Sequence, residues 1–575
     1  MRLIFFLLRW SKSIRYSRTT IAFVMLAGLV GGIGSTVLIA VINSALRKQE
    51  HSTATLAQTF IVFCVAVPVA RFFSQALLER LTARAALNLR IELGRRILSS
   101  PLRLLEELGS HNLLAALTDD VTSITNAVGT IPVLSMNIAL VVACLIYLGW
   151  LSWLMLLSVM VFLILFLIVY QTMLAVATRY LLSGRDSWGT LIGHFRALTD
   201  GAKELKMHKR RREAFFSEVL DPTAESLRRS YLVGRAVQAA ASSTGQTLFF
   251  ALIGLIIFVL PSTLPTISHA NVGTLMSFTV TLLYMVGPLD AITQSFIGLG
   301  HSKVALQKVE NLGFSLSSKN VESDSAIVLN RPLLQKCIEL KGVTHAYRSD
   351  ESKNSFTLGP IDLSLSAGDV VFLVGGNGSG KTTLLKLMTG LYMPEAGEIR
   401  FDGQLVDDQN REQFRQYFST VFSDFHLFES LLGMDTPELD INVQNYLAQF
   451  QLEHKVQVRD GSLSTTSLSH GQRKRLALLT AYMEDRPVYI FDEWAADQDP
   501  RFKRIFYLEF LAELKARGKT VVVISHDDRY YCVADRIIKL ENGQLEYDER
   551  VNGLSTRLRG DFNDTENWRA AVQLN

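Results

Sequence analysis

Long stretches without charged residues dominate the first half of the chain. Segments 19–46, 52–70, 121–178 and 236–289 contain no Asp, Glu, Lys or Arg. A helix that crosses the hydrocarbon core of a bilayer needs about 20 consecutive apolar residues. The first two segments are therefore long enough for one span each, and the last two for two spans each. The pattern predicts six membrane-spanning helices, at 19–46, 53–80, 129–150, 153–175, 243–262 and 273–300.

Buried helices of a soluble protein are the alternative, but such helices show a polar face at every turn. Segment 19–46 shows none. Hydrophobic residues make up 49% of the 575 residues, and the mean hydropathy is +0.22. A chain of this length exceeds a single core, so at least two domains are expected. The four cysteines are far apart, and neither a disulfide framework nor a zinc site is predicted.

Basic residues cluster on one side of the predicted spans. They lie before the first span and in the long segments that follow spans two and four, including the run 209–212. The positive-inside rule places both termini and these segments in the cytoplasm. A basic run is also typical of nucleic-acid binding. Beside a membrane, topology and anionic lipid explain it better, so we expect contact with membrane lipid and no nucleic-acid partner.

The pattern changes near residue 300. Segment 301–334 is polar and lacks periodicity, which favours a linker. From there strands and helices alternate to about residue 545, a pattern typical of an α/β domain with a mainly parallel sheet. The predicted fold is multidomain: an all-α six-helix transmembrane domain followed by an α/β domain. The predicted divisions are a cytoplasmic segment 1–18, the transmembrane domain 19–300, the linker 301–334, the α/β domain 335–550 and a tail 551–575.

A phosphate-binding motif follows the apolar strand predicted at 370–374. The pattern G-x-x-x-x-G-K-[ST] matches between this strand and a helix. Glycines allow the backbone N–H groups to point at phosphates, and the helix adds the positive end of its dipole. Lys381 is expected to neutralise the β- and γ-phosphates, and the Thr382 hydroxyl to bind Mg²⁺. The motif comprises Gly375, Gly376, Asn377, Gly378, Ser379, Gly380, Lys381, Thr382 and Thr383.

Two adjacent acids end another apolar strand, predicted at 488–491. Asp492 is placed to bind Mg²⁺ directly or through water. Glu493 is placed beside the γ-phosphate, where it would orient and deprotonate the attacking water. The sequence therefore predicts a nucleotide-hydrolysing site that uses ATP and Mg²⁺.

A third motif, LSHGQ at 468–472, precedes a helix predicted at 473–483. It resembles LSGGQ, the signature of ATP-binding cassette (ABC) proteins, with His470 in place of one glycine. In that family the segment faces the nucleotide held by the opposing cassette. The resemblance implies that Ser469, Gly471 and Gln472 bind nucleotide across a homodimer with two shared ATP sites.

Further single residues match the family by register. Tyr347 corresponds to the aromatic residue that stacks on adenine. His526 corresponds to the switch histidine that contacts the γ-phosphate, and Asp499 to the aspartate of the loop that crosses the dimer interface. These roles are what the resemblance implies. Short turns within 104–118 and 196–212 are the predicted points where the cassette docks.

Two further positions depart from the family pattern. Ser423 stands where the family usually has a glutamine. Its side chain reaches less far, so its contacts with metal and water are expected to pass through water or Asp424. Trp494 replaces a small residue, and we expect it to pack against the neighbouring cassette or a docking segment. With these departures, FDEWAADQDP, VFSDFHLF at 421–428 and ISHDD at 524–528 resemble bacterial cyclic-peptide and siderophore-peptide exporters of the pyoverdine, syringomycin and microcin types.

The resemblance implies a homodimer in the bacterial inner membrane that exports a peptide by alternating access. The cargo would be a cyclic peptide, a lipopeptide or a siderophore precursor. A lipid flippase or a multidrug exporter of the same architecture is the alternative, and a membrane-anchored regulatory ATPase is a third. Arg71 and Asp290 could contact a polar cargo, or they could pair with each other or reach the membrane interface.

Overall fold

The structure, a computed structural model, describes residues 17–46, 53–259, 272–317, 337–347, 356–433 and 439–551. The chain divides into two compact units. The first unit comprises Met1–Gly94 and His111–Leu312. The second comprises Gly313–Asn575 together with the segment Arg95–Ser110.

Helices form the described part of the first unit. The long ones are α1 (Ser17–Leu46), α2 (Thr53–Leu98), α5 (Val121–Leu151), α6 (Trp153–Asp200), α9 (Asp221–Gly254) and α10 (Val272–Ser317). Short helices lie between them: α4 (Ser110–Ala115), α7 (Ala202–Met207) and α8 (Lys209–Ala214). Helix α3 (Leu102–Leu108) follows α2 in the chain but belongs to the second unit. Single π-helical turns are present at Ala116–Asp120, Phe215–Leu220 and Leu255–Val259.

Six helices are long and apolar enough to cross a membrane, which confirms the predicted number of spans in the described residues. Several continue far beyond the predicted ends. Helix α2 runs without interruption from span two through the basic segment and ends at Leu98, three residues before Pro101. Proline disfavours helical conformation in the residue before it, which explains this end.

The linker was predicted to begin at residue 301, and this boundary is wrong. Helix α10 continues to Ser317, and the remaining part, 318–334, lies outside the described residues. Ala305, Leu306 and Val309 are buried against α2 and α5. These apolar residues recur at helical spacing on one face, while the polar residues between them made the segment look irregular.

Close helix packing in the first unit depends on small residues. A Cβ atom on Gly32 of α1 would lie 2.8 Å from the carbonyl oxygen of Met136 on α5. Small residues let two backbones approach closely within a membrane. Leu140 and Cys144 of α5 lie in the same buried cluster as Phe278 and Leu282 of α10. This cluster holds α5 and α10 together with α6 and α9.

The second unit contains three sheets in its described part. Its strands are β1 (Cys337–Ala346), β2 (Thr357–Ser366), β3 (Val370–Val374), β4 (Ala396–Phe401), β5 (Gln404–Leu405), β6 (Phe418–Val421), β7 (Val458–Arg459), β8 (Ser462–Leu463), β9 (Val488–Asp492), β10 (Thr520–Ile524), β11 (Arg536–Glu541) and β12 (Gln544–Arg550). Its further helices are α11 (Lys381–Met388), α12 (Arg411–Arg415), α13 (Leu439–Gln449), α14 (His470–Glu484), α15 (Pro500–Arg504) and α16 (Leu511–Ala516). A 3-10 helix lies at Trp494–Asp497 and another at Asp528–Val533, and a π-helical turn at Ile505–Phe510.

The central sheet has the order β12-β11-β3-β10-β9-β6. All its strands are parallel except β12, which confirms the predicted mainly parallel sheet. A separate antiparallel sheet, β2-β1-β4-β5, was not predicted. Every residue of β3, β9 and β10 is buried. Their side chains alternate between two apolar clusters, one on each face, so both faces are covered.

The carboxyl ends of four parallel strands lie at one edge of the central sheet. Ile524 of β10 pairs with Asp492 of β9, and Val421 of β6 pairs with Phe491. Ligands bind at this edge in open α/β sheets. The loops after β3, β6, β9 and β10 therefore meet there, and each contains a residue predicted to act on nucleotide.

Candidate active site

The loop between β3 and α11 takes backbone conformations that side chains disfavour. Gly375, Gly378 and Gly380 have φ angles of 148°, 80° and 100°. A Cβ atom on Gly375 would lie 2.2 Å from the carbonyl oxygen of Leu540, so a larger residue does not fit. The loop leads directly into α11, whose first N–H groups are free to bind an anion.

Lys381 and Ser379 supply polar groups inside this loop. The buried Lys381 ammonium donates to the carbonyl oxygens of Gly375 and Gly376, both at 2.9 Å. Burial lowers the pKa of this lysine. The buried Ser379 hydroxyl has no hydrogen-bond partner among the described residues. An unsatisfied buried hydroxyl costs about 1–3 kcal/mol, so a phosphate oxygen in the loop would relieve it. The loop therefore fits the phosphates of ATP.

Three oxygen-bearing side chains meet at the end of β9. The Thr382 hydroxyl donates to Asp492 Oδ2 at 3.1 Å, and the Ser423 hydroxyl donates to the same atom at 3.2 Å. Burial raises the pKa of the Asp492 carboxyl. Hydroxyl and carboxylate oxygens are the ligands that Mg²⁺ prefers. The donor set is therefore suited to that ion, and Ser423 lies in it despite its short side chain.

Glu493 and His526 form the next pair along this edge. The His526 Nε2 atom lies 3.1 Å from Glu493 Oε1. Glu493 has a φ of 50°, a left-handed conformation that non-glycine residues rarely adopt. Such strained positions concentrate at functional sites. Each residue follows the end of a neighbouring strand, β9 or β10, so the parallel sheet brings the two together.

Tyr347 follows β1 and reaches toward the phosphate loop. Its hydroxyl lies 3.3 Å from Thr383 Oγ1, and its ring lies edge-on to His345. The Tyr347 side chain is 39% exposed. An exposed aromatic face beside the phosphate loop is able to stack on a base, and the adenine-stacking role that the resemblance implies for Tyr347 stays a prediction.

The signature residues begin α14. Ser469 and Gln472 form a capping box: the Ser469 hydroxyl accepts from the Gln472 N–H, and the Gln472 side-chain oxygen accepts from the Ser469 N–H. In the described residues of this chain, no hydrogen bond joins Ser469, Gly471 or Gln472 to the phosphate loop. Within the described residues, the capped helix start is therefore not bonded to the phosphate loop.

Hydrogen bonds and ion pairs connect the signature helix, α14, to the loop that follows β9. Lys474 Nζ donates to Asp497 at 2.6 Å, and Arg475 donates to Asp499. The Lys474 ammonium lowers the pKa of the Asp497 carboxyl. The Gln498 amide donates to the Gly471 carbonyl oxygen at 3.0 Å. These contacts hold the start of α14 against the segment that contains Asp497, Gln498 and Asp499.

Asp499 also caps a helix. Its carboxylate accepts from the Phe502 N–H at 2.9 Å, at the start of α15. Sequence analysis missed Lys474, Arg475 and Gln498 as partners in these contacts. The adjacent basic residues directly after the signature were the signal that could have found them.

The expectation for Trp494 is wrong. Its side chain is 1% exposed and lies inside its own cassette, with the ring 4.4 Å from that of Phe506. The indole N–H donates to the carbonyl oxygen of Lys474 at 2.7 Å. A fully buried side chain is inaccessible to another subunit. Trp494 instead connects the loop after β9 to the signature helix through this hydrogen bond.

Helix α3 contacts the same cassette. Arg103 pairs with Glu395 at 2.8 Å, and Lys386 donates to Glu106 at 2.7 Å. The Tyr392 hydroxyl also donates to Glu106. This agrees with the docking predicted within 104–118, whereas docking through 196–212 stays a prediction. Glu106 and Tyr392 belong to no sequence motif, so their contact could not be predicted from the sequence.

Comparisons with known proteins cover both units. Residues 19–289 match the family described as "ABC transporter transmembrane region". Residues 358–496 match the family described as "ABC transporter".

Relatives extend this likeness over nearly the whole chain. The ATP-binding protein SyrD of Pseudomonas syringae pv. syringae is 35% identical over 92% of this chain and 94% of its own length. The ATP-dependent lipid A-core flippase of Dechloromonas aromatica (strain RCB) is 30% identical over 55% of this chain and 54% of its own. A bacterial Atm1-family ABC exporter with ATP bound has a similar structure, with a TM-score of 0.73, 18% identity and coverage of 96% and 97% of the two chains.

The family matches, the six spans and the full-length relative agree with one another. The protein is a multi-pass membrane exporter whose cytoplasmic ATPase domain binds ATP and couples its hydrolysis to transport. The chain belongs to the ABC transporter family and carries the transmembrane and ATPase domains in one polypeptide.

Proposed function

We propose that this exporter carries a peptide across the bacterial inner membrane as a homodimer. The cargo class is a cyclic peptide, a lipopeptide or a siderophore precursor. The observation that carries this choice is the set of segments 421–428, 491–500 and 524–528, which resemble the cyclic-peptide and siderophore-peptide exporters. The 35% likeness to SyrD extends over 92% of the chain and supports a relationship beyond the shared cassette.

In this proposal, the edge of the central sheet holds one face of the nucleotide. Tyr347 stacks on the adenine, and the loop 375–383 holds the phosphates. Thr382, Asp492 and Ser423 would hold Mg²⁺, which neutralises phosphate charge when bound. The convergence of both hydroxyls on Asp492 Oδ2 supports this assignment.

The second cassette of the dimer covers the other face. Ser469, Gly471 and Gln472 lie at the start of α14, a 15-residue helix whose amino end favours an anion. Asp499 lies on the same surface through its pairing with Arg475. Because the two half-sites are separate within one chain, joining them through a second copy completes each ATP site.

Hydrolysis follows from the pair at the ends of β9 and β10. Glu493 orients the attacking water and accepts its proton, while His526 holds the Glu493 carboxylate and faces the γ-phosphate. Loss of the γ-phosphate removes contacts that both cassettes share, so they separate. The motion reaches the spans through docking segments such as α3.

A lipid flippase is the second candidate, because the Dechloromonas aromatica flippase shares 30% identity over about half of this chain. A multidrug exporter has the same architecture. ATPase assays in proteoliposomes separate the classes. Stimulation by an acylated cyclic octapeptide and uptake of that peptide into inside-out vesicles are expected. Stimulation by lipid A-core alone would replace the peptide proposal with the flippase.

A further inference from the structure

A small cavity lies among three membrane-spanning helices of the first unit. It has a volume of about 40 Å³ and is lined by residues of α6, α9 and α10. Tyr170, Gln246 and Asp290 supply polar groups to its lining. No Lys, Arg or His residue lines it among the described residues. Polar groups in a membrane span are costly and mark ligand pathways.

Tyr170 is aimed into this region without a partner. Its side chain is 5% exposed, and its hydroxyl makes no hydrogen bond with any described residue. The ring is stacked on Phe166, with centroids 5.7 Å apart. Buried polar groups are almost always hydrogen-bonded. The orphaned hydroxyl therefore indicates that a ligand provides its partner.

Gly245 preserves the shape of the cavity wall. A Cβ atom there would lie 2.7 Å from Cε2 of Phe166. A larger residue at this position would push the Phe166 ring, and with it the stacked Tyr170, into the cavity. The absence of a side chain at 245 thus maintains the open space.

Among the described residues that line the cavity, Asp290 is the one acidic group. It lies within the candidate span Val272–Phe296. The Thr293 hydroxyl donates to the backbone oxygen of Asp290 at 2.7 Å, not to its carboxylate. Across the described chain, no basic side chain forms an ion pair with Asp290. The Asp290 carboxylate is exposed and makes no ion pair among the described residues, so it is open to a cation from outside the protein.

We infer that this cavity binds a primary ammonium group of the exported peptide. The inference rests on the proposed function and names the cargo as an amine-bearing peptide. The cavity offers about three water-sized positions of 10–15 Å³ each, enough for an aminoalkyl end. Asp290 neutralises the ammonium charge, and the Tyr170 hydroxyl and Gln246 side-chain oxygen accept its remaining N–H groups.

The test uses two acylated cyclic octapeptides that differ only at one ornithine side chain, free in one and acetylated in the other. The full-length protein is reconstituted in liposomes of phosphatidylcholine and phosphatidylglycerol, and the peptide concentration for half-maximal ATPase stimulation is measured. We expect the free amine to act at a concentration at least about tenfold lower, as hydrogen bonds to charged groups predict. Because a half-maximal concentration does not depend on how much protein is folded, partial misfolding leaves this ratio unchanged.

Variants assign the effect to the cavity. Asp290→Asn should remove the preference between the two peptides, and Tyr170→Phe should reduce it. Glu79→Gln, a charge removal on an exposed position of α2 outside the lining, should retain it. Equal stimulation by both peptides in the wild type, or an unchanged preference in Asp290→Asn, would overturn the inference and leave peptide export intact.

Two further arms separate other outcomes. If neither peptide stimulates hydrolysis and lipid A-core does, the proposed function itself fails, and the cavity is then not a peptide site. Phosphatidylethanolamine carries the same primary ammonium on a lipid. Suppose that phosphatidylethanolamine in the liposomes stimulates ATP hydrolysis in place of the peptide, and that Asp290→Asn removes this stimulation. The amine then comes from lipid, and the peptide inference is wrong.

Discussion

The Glu106 carboxylate accepts a hydrogen bond from the Tyr392 hydroxyl, which in turn accepts one from the Tyr347 hydroxyl at 3.4 Å. Lys386 of α11 donates to the same carboxylate. Burial, with the Glu106 hydrogen bond, raises the pKa of Tyr392, so its hydroxyl remains a donor at neutral pH. A short polar chain therefore joins the docking helix α3 to the residue assigned to adenine.

A double-mutant cycle with Glu106→Gln and Tyr392→Phe should measure the interaction between the Glu106 carboxylate and the Tyr392 hydroxyl. We expect a coupling free energy of about 0.5–3 kcal/mol in unfolding, because the two groups are in direct contact. Peptide-stimulated hydrolysis should fall more than basal hydrolysis. Glu107→Gln is the matched control, since Glu107 pairs only with Arg103 of its own helix in the described structure. Additive effects in the cycle would show that the contact carries no coupling.

Replacing Glu493 by Gln should lower the rate of ATP hydrolysis by about 10²–10⁴-fold, the usual contribution of general-base catalysis. The amide keeps the size of the side chain but cannot accept the proton. ATP binding should persist, as measured with a fluorescent analogue. His526→Ala should also slow hydrolysis, and the double variant should be little worse than Glu493→Gln because the two groups act together. A Glu493→Gln protein that hydrolyses ATP and exports peptide at the normal rate would refute the assignment.

Replacing Ser423 by Ala removes one of two hydroxyls that converge on Asp492. The loss of one hydrogen bond, worth about 1 kcal/mol, should raise the Mg²⁺ concentration for half-maximal hydrolysis about fivefold. Ser462→Ala, on β8, should leave the Mg²⁺ requirement unchanged. If both variants titrate like the wild type, Ser423 has no part in the metal site.

Asp492 should make stability depend on pH in the nucleotide-free protein. Burial raises its pKa above the ordinary value of 3.8, so the folded state holds this proton more tightly than the unfolded chain. The contribution of Asp492 to the free energy of unfolding is therefore largest at low pH. This contribution is lost as the pH rises from 3.8 through the raised pKa. Asp492→Asn should therefore unfold at a higher temperature than the wild type at pH 7, and the difference between their unfolding temperatures should be smaller near pH 4.5. A difference that does not change with pH would contradict the raised pKa of Asp492.

Replacing Trp494 should show its structural role. Trp494→Ala should destabilise the protein by about 3–5 kcal/mol, because a buried aromatic side chain is lost. Trp494→Phe should cost less, about 1–3 kcal/mol, since it removes the indole hydrogen bond to Lys474 and only part of the buried ring. Phe428→Ala, at a side chain that is 60% exposed, is the control and should change the unfolding temperature little. A contact with another subunit would instead make Trp494→Ala dissociate the dimer without lowering cassette stability.

Much of the site could be predicted from sequence because its parts are local. The loop 375–383 needs glycines at fixed spacing. Asp492 ends a strand whose four preceding residues are all buried and hydrophobic, and Glu493 follows directly. Such local patterns can be recognised without knowledge of the tertiary structure. The hydrogen bonds of Thr382 and Ser423 to Asp492 depend on how β3, β9 and β6 are placed in the sheet, which cannot be read from the sequence.

Trp494 shows where prediction failed. From the sequence it was expected to pack against the neighbouring cassette or a docking segment. Only the packing of Phe502 and Phe506 against its ring shows that it belongs to the core of its own cassette. The linker boundary failed for a similar reason. Ala305, Leu306 and Val309 form a buried face only because α2 and α5 lie beside it.

The sequence by itself determined the two-part architecture, the six spans and the residue types of the ATP site, because hydrophobic length, charge placement and glycine spacing act over short distances along the chain. The tertiary structure decided which distant residues meet: Glu106 with Tyr392, Trp494 with the signature helix, and Tyr170 with Asp290 around one cavity. Contacts between residues far apart in sequence depend on how helices and strands pack, and packing is a property of the whole fold.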